Sequence, residues 1–99
     1  FDSGFGGLTV ARAVIDLLPG EELIYFGDTG RYPYGSRAEH EVRGFAHQIT
    51  GYLVRERGVK LVIVACNTAA AAAPLSELVE AFGVPVVGVI EPGVRTDDQ

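Results

Sequence analysis

Lys60-Leu61-Val62-Ile63-Val64-Ala65-Cys66-Asn67-Thr68-Ala69-Ala70-Ala71-Ala72-Ala73-Pro74 is the stretch that decides the fold. Its first six residues make a continuous apolar and β-branched run. That is the pattern of a central parallel strand covered on both faces. At Cys66 the run turns polar, and a short helix is expected from about Asn67. Pro74 lacks a backbone N–H and cannot continue that helix, so a second helix is expected from Pro74 to Gly83. Val84 to Val89 then reads as the next strand, left through Glu91-Pro92-Gly93.

Upstream, the same alternation continues. Gly7 to Leu18 reads as a helix with a wide apolar face formed by Leu8, Ala11, Val14, Ile15 and Leu18. So wide a face predicts a helix largely packed against a sheet. Pro19-Gly20 stops it. Glu22 to Phe26 reads as a short strand. The loop beyond it is rich in turn formers, Gly27-Asp28-Thr29-Gly30 and Pro33-Tyr34-Gly35. Ser36-Arg37-Ala38-Glu39 has the spacing of a capping box. The helix it opens, Arg37 to about Arg57, is expected to bury Val42, Phe45, Ile49, Tyr52 and Leu53, with Gly58 as its stop. Strands alternating with helices predict βαβ units, hence an α/β fold: three layers, α/β/α, around a mainly parallel sheet.

The bulk properties narrow the function. A net charge of −5 and a pI of about 4.8, without a basic patch, argue against a nucleic-acid partner. No apolar run approaches the roughly 18 residues a membrane span requires. The single cysteine cannot form an internal disulfide, which fits a reducing, cytoplasmic setting. One Cys and two distant His supply no metal cluster of the usual ligands. The chain opens on Phe1-Asp2-Ser3-Gly4, which reads as the end of a strand, and closes on the polar Thr96-Asp97-Asp98-Gln99. Both ends are expected to be cut from a longer protein. On that reading, residues 1–99 are a partial N-terminal domain lacking its first strand.

In a parallel sheet the carboxyl ends of all strands share one edge, and ligands bind in the crevice beyond it. Asp2-Ser3, Asp28, Cys66-Asn67-Thr68 and Glu91 each follow a strand, so they are expected to converge there. Cys66 stands where a buried strand meets a helix N-terminus, whose free N–H groups and dipole favour a thiolate. A lone Cys can equally be a small packing residue. Asp2 and Ser3 precede the glycine run Gly4-Phe5-Gly6-Gly7 and could cap a helix, contact a ligand, or both. Pro33-Tyr34-Gly35 could present an aromatic ring and a backbone N–H to a ligand, or be an ordinary turn. Asp28 and Glu91 are accessory acids able to orient an ammonium or tune a thiol, or else solvated loop carboxylates. His40 and His47, seven apart on the long helix, read as surface residues. A Cys-His hydrolase would need one of them near Cys66.

These residues resemble the ordered motifs of the glutamate racemases. The motifs are Asp2-Ser3-Gly4-x-Gly6-Gly7-Leu8-Thr9-Val10, Asp28 with Pro33-Tyr34-Gly35, Ala65-Cys66-Asn67-Thr68-Ala69, and Gly88-Val89-Ile90-Glu91-Pro92-Gly93. The resemblance covers nearly the whole chain. It implies interconversion of L- and D-glutamate for peptidoglycan synthesis, with no pyridoxal phosphate or other cofactor and no metal. Two thiols would work on opposite faces of the α-carbon. It casts Cys66 as the thiol of the first half, with Asp2 close to the acid–base chemistry. Asp2, Ser3, Tyr34, Gly35, Asn67 and Thr68 would bind the small-molecule substrate. The second thiol, in a Cys-Thr-His motif of a second domain, lies beyond this chain, so residues 1–99 alone are expected not to racemise. The whole enzyme would be a homodimer.

Competing readings remain distinguishable. A thiolate phosphatase needs an Arg six residues after its Cys, and that position is Ala72. A non-catalytic ligand-binding module would leave Cys66 inert. Aspartate racemase, maleate isomerase and arylmalonate decarboxylase share the looser motifs and differ in the second half.

Overall fold

Val62–Val64 forms strand β1 and Val86–Gly88 forms β2. They pair in parallel, with Val62 opposite Val86 and Val64 opposite Gly88. This is a computed structural model, and it describes residues 1–4 and 6–89. Backbone hydrogen bonds carry the ladder past β1 on its other side. The Phe1 nitrogen donates to Ile63 O at 2.6 Å, and Ala65 N–H donates to Phe1 O at 2.8 Å. Beyond Phe1, Asp2 makes a parallel bridge to Gly27. There Asp2 N–H donates to Phe26 O and Asp28 N–H donates to Asp2 O, each at 3.1 Å. The order across the layer is therefore 26–28, 1–2, β1, β2. All four segments point the same way, so their carboxyl ends share one edge. The fold is α/β with parallel strands, as the alternating pattern implies.

Among the described residues four α-helices flank this layer: α1 Leu8–Leu17, α2 Glu39–Arg55, α3 Asn67–Ala72 and α4 Leu75–Phe82. The break between α3 and α4 falls at Ala73-Pro74, and Gly83 ends α4 with φ of 72°. Only glycine takes that left-handed conformation without strain. The core joins Val42, Ala46, Ile49 and Leu53 of α2 to Val62 and Val64 of β1, Leu78 of α4 and Val86 of β2. Burying each of the larger aliphatic side chains contributes roughly 1.5–3 kcal/mol. The i, i+4, i+7, i+11 spacing of the α2 residues is one helical face. Tyr52 falls off that face and is 41% exposed, contrary to the expectation that it is buried. Phe45 is half-buried against Tyr34, ring centroids 5.4 Å apart.

Four more expectations need correction. The helix α1 buries none of its residues: Leu8, Ile15 and Leu17 are 56%, 46% and 78% exposed. It stands off the strands across a cleft of about 440 Å³. Val10, Ala11, Val14 and Leu18 line one side of the cleft, with Leu23, Ile63 and Ala65 among the residues of the other. For the same reason β1 is covered on one face only, with Val62 and Val64 buried and Ile63 half-exposed. Residues 22–26 form no strand: among the described residues the pairing there is a single bridge, Asp2 to Gly27. The cap of α2 sits two residues later than the Ser36 box predicts. Arg37 is extended and its Nε donates to Arg31 O at 3.0 Å, which holds the chain out of the helix. Ala38 is the N-cap residue, and its N–H donates to Glu41 Oε1 at 3.3 Å, while Ser36 Oγ donates to Pro33 O.

Candidate active site

The shared carboxyl edge gathers the sequence-predicted polar groups from three of the four segments. Asp2 ends the Phe1-Asp2 segment and is 1% exposed. A buried carboxylate must have its oxygens hydrogen-bonded. Here Oδ1 accepts from Gly4 N–H at 3.0 Å, while Oδ2 accepts from Gly7 N–H and from the Tyr25 hydroxyl, the latter at 2.8 Å. Gly7 is required by space: a Cβ there would lie 2.7 Å from Asp2 Oδ2 and 3.2 Å from Ala65 Cβ. The amides of Gly4 and Gly7, in the loop that Asp2 begins, close an amide ring on the carboxylate of Asp2. Ser3, half-buried, is the next residue of that loop.

Asp28 lies one backbone bond away and is 8% exposed. Its Oδ2 accepts from the Tyr34 hydroxyl at 2.5 Å and from Arg31 Nε at 2.7 Å. Arg31 continues to Gln48 Oε1 at 2.6 Å and lies 3.9 Å above the Phe45 ring. The sequence leaves open whether Tyr34 covers a ligand. In the structure its ring is buried and its hydroxyl is committed to Asp28, while Gly35 is exposed. Burial and the bond to Asp28 push the Tyr34 phenol well above its ordinary range. Tyr25 shifts the same way, pushed up to about 12 by desolvation and then by its bond to Asp2.

Cys66 follows β1 as the N-cap residue of α3 and is 9% exposed. Its own carbonyl accepts from Ala70 N–H at 2.9 Å. Asn67 and Thr68, half-buried in the first turn of α3, line a cleft of about 400 Å³ with Arg37, Glu39, Val42, Ala71 and Ala72. The turn Tyr34–Ser36 packs on α3, and the Tyr34 phenol lies within electrostatic range of Cys66. Asp2, Asp28, Tyr34 and Cys66 therefore occupy one neighbourhood. Glu91 lies outside the described residues. His47 points to α4, with Nε2 3.3 Å from Glu77 Oε1, and His40 is exposed.

Among the described residues no cluster of three His, Cys, Asp or Glu could hold a metal ion. No described helix is long and apolar enough to cross a membrane. Sequence reasoning missed Tyr25, Arg31 and Arg37. Tyr25 had a faint signal, as a polar-tipped aromatic in an apolar segment leading to Asp28.

Parallel strands that end in a thiol and two buried carboxylates define an open-sheet α/β domain with its candidate site on the carboxyl edge. Within that class, the chain is homologous to the glutamate racemases over nearly its whole length. It is 57% identical over 95 residues to the glutamate racemase of Thermus thermophilus, a match covering 96% of this chain and 36% of the relative. The glutamate racemase of Aquifex pyrophilus superposes with a TM-score of 0.85 at 46% identity, over 95% of this chain and 36% of that one. The Thermus thermophilus enzyme in complex with β-chloro-D-alanine gives 0.84 at 54% identity, over 96% and 39%. The chain spans a little over a third of the length of these relatives. No protein-family model matches it.

Proposed function

We propose that this chain supplies one face of a glutamate racemase site, with Cys66 as the thiol of that face. The observation that carries the reading is the meeting of Asp2, Asp28 and Cys66 on one sheet edge, in a chain homologous to glutamate racemases over 96% of its length. Cys66 Sγ, as thiolate, takes the α-proton of D-glutamate, and the C–H electron pair stays on the α-carbon. A second thiol on the opposite face, from outside these 99 residues, returns a proton to give the L-enantiomer. Asp2, Ser3, Asn67, Thr68 and the exposed Gly35 bind substrate ammonium and carboxylates. Tyr34 shapes the wall through Asp28. Preorganised amides and hydroxyls stabilise the developing carbanion, the hardest part of the reaction. A thiol whose pKa is near working pH suits both halves of the proton cycle.

On this reading residues 1–99 belong to the first of two domains of a cytoplasmic homodimer that makes D-glutamate for peptidoglycan, and alone they do not racemise. The test replaces the matched segment of the Thermus thermophilus enzyme with this chain and follows the interconversion of D- and L-glutamate. Racemisation by the hybrid is expected, with a loss of about 10³-fold or more in Cys66→Ala, the scale of removing a group that acts chemically. A folded hybrid without activity, or an unaffected Cys66→Ala, overturns the assignment. Racemisation of aspartate in preference to glutamate would move the chain to a sister activity.

A further inference from the structure

Tyr25 belongs to none of the motifs, yet it is tied to the most enclosed carboxylate of the site. Its ring lines the cleft beneath α1 and it is 37% exposed. Its hydroxyl leaves the cleft, donates to Asp2 Oδ2 at 2.8 Å and lies 3.3 Å from Gly4 O. The amides of Gly4 and Gly7 that also hold Asp2 come from the loop Asp2 itself begins. Bonds of that kind travel with the loop. Tyr25 reaches in from a separate segment 23 residues away and ties the carboxylate to the body of the fold. Its ring passes close over Gly27, where an added Cβ would lie 3.3 Å from Tyr25 Cε2 and 2.6 Å from Gly4 O.

We propose that Tyr25 is a positioning residue for Asp2, its hydroxyl fixing the rotation of the carboxylate so that both oxygens act as acceptors at the strand end. The proposal rests on the reading of Asp2 as a substrate-contacting group. Tyr25 acts through Asp2 and does not itself touch substrate. Removing the hydroxyl leaves the ring in its cleft and leaves the carboxylate held by the Gly4 and Gly7 amides of its own loop.

In the hybrid racemase, Tyr25→Phe is expected to lower kcat for D-glutamate about tenfold, the scale of one hydrogen bond to a charged group. KM should change less, and the acid limb of the kcat/KM profile should move. The double variant Tyr25→Phe/Asp2→Asn should be no slower than Asp2→Asn alone, since the two side chains act as one unit. A Tyr25→Phe enzyme with the parent's kcat and pH profile, or losses that simply multiply in the double variant, overturns the proposal. A purely structural role would change the folded fraction and leave the pH profile in place. Should Tyr25→Phe not fold, 3-fluorotyrosine at position 25 keeps ring and hydroxyl. Its fluorine resonance is expected to shift on Asp2→Asn, and an unmoved resonance overturns the clamp. If the parent hybrid is inactive, the functional reading fails, while the resonance still decides whether Tyr25 holds Asp2.

Discussion

Asp2 and Asp28 end neighbouring strand segments, joined by one backbone hydrogen bond, and both carboxylates are buried. The first is held mainly by amides of its own glycine loop, the second by the side chains of Tyr34 and Arg31. An amide ring is set by backbone shape, so it is sensitive first to volume, with the Tyr25 hydroxyl as its side-chain supplement. A side-chain clamp has the opposite weakness: it tolerates added volume in its loop and fails when a donor is removed.

The largest effect should come from breaking the amide ring. Gly7→Ala places a methyl between Asp2 Oδ2 and Ala65 Cβ, where neither neighbour has room. A loss of about 3 kcal/mol is expected, at the upper end for overpacking, read as a fall in the urea midpoint. An unchanged midpoint would mean that the loop yields more easily than its contacts imply. Next, Tyr34→Phe removes a donor from the Asp28 clamp and leaves a buried oxygen short of one partner, for about 1–2 kcal/mol in the same measurement.

Alkaline titration probes both clamps together. Tyr25 ionises at about 12 in the folded chain against an ordinary 10, and Tyr34 is shifted in the same direction. With folded values raised, each phenol contributes its stability in full below pH 10. The contribution is lost as pH rises through the folded values, because the unfolded chain releases those protons first. Urea midpoints should therefore decline from pH 10 to 12, and less steeply in Tyr25→Phe and Tyr34→Phe. A parent curve flat across that window contradicts the two bonds. The smallest effect is expected from Gly30→Ala in the Asp28 loop. A Cβ there meets nothing within 4 Å, and Gly30 is not among the glycines of positive φ. Stability should stay within about 0.5 kcal/mol of the parent.

Much of this arrangement is legible in the sequence where local chemistry decides it. The apolar run 60–65, the break at Pro74 and the stop at Gly83 follow from hydrophobic period and backbone restriction. The convergence of Asp2, Asp28 and Cys66 follows from parallel topology alone. What depends on long-range packing was not legible. The apolar face of α1 signals burial, but no described partner fills its cleft. The Ser36 box has the right spacing, yet the bond from Arg37 to the Arg31 carbonyl delays the helix. The apolar and aromatic run 22–26 suits a strand, but among the described residues its pairing reaches no further than one bridge at its end, Asp2 to Gly27. Tyr25 could not be assigned to Asp2, because which hydroxyl meets which carboxylate across 23 residues is set only by the finished fold.

The uncovered side of α1 also sets how copies of this chain treat one another in solution. A net charge of −5 keeps them apart near neutral pH. Toward the isoelectric point of about 4.8 that repulsion vanishes, while Leu8, Ile15, Leu17 and Leu18 still face water. Charge repulsion therefore opposes the association of copies through this face. The chain's solubility minimum should be deep near that pH, and added salt should widen it by screening the repulsion on either side.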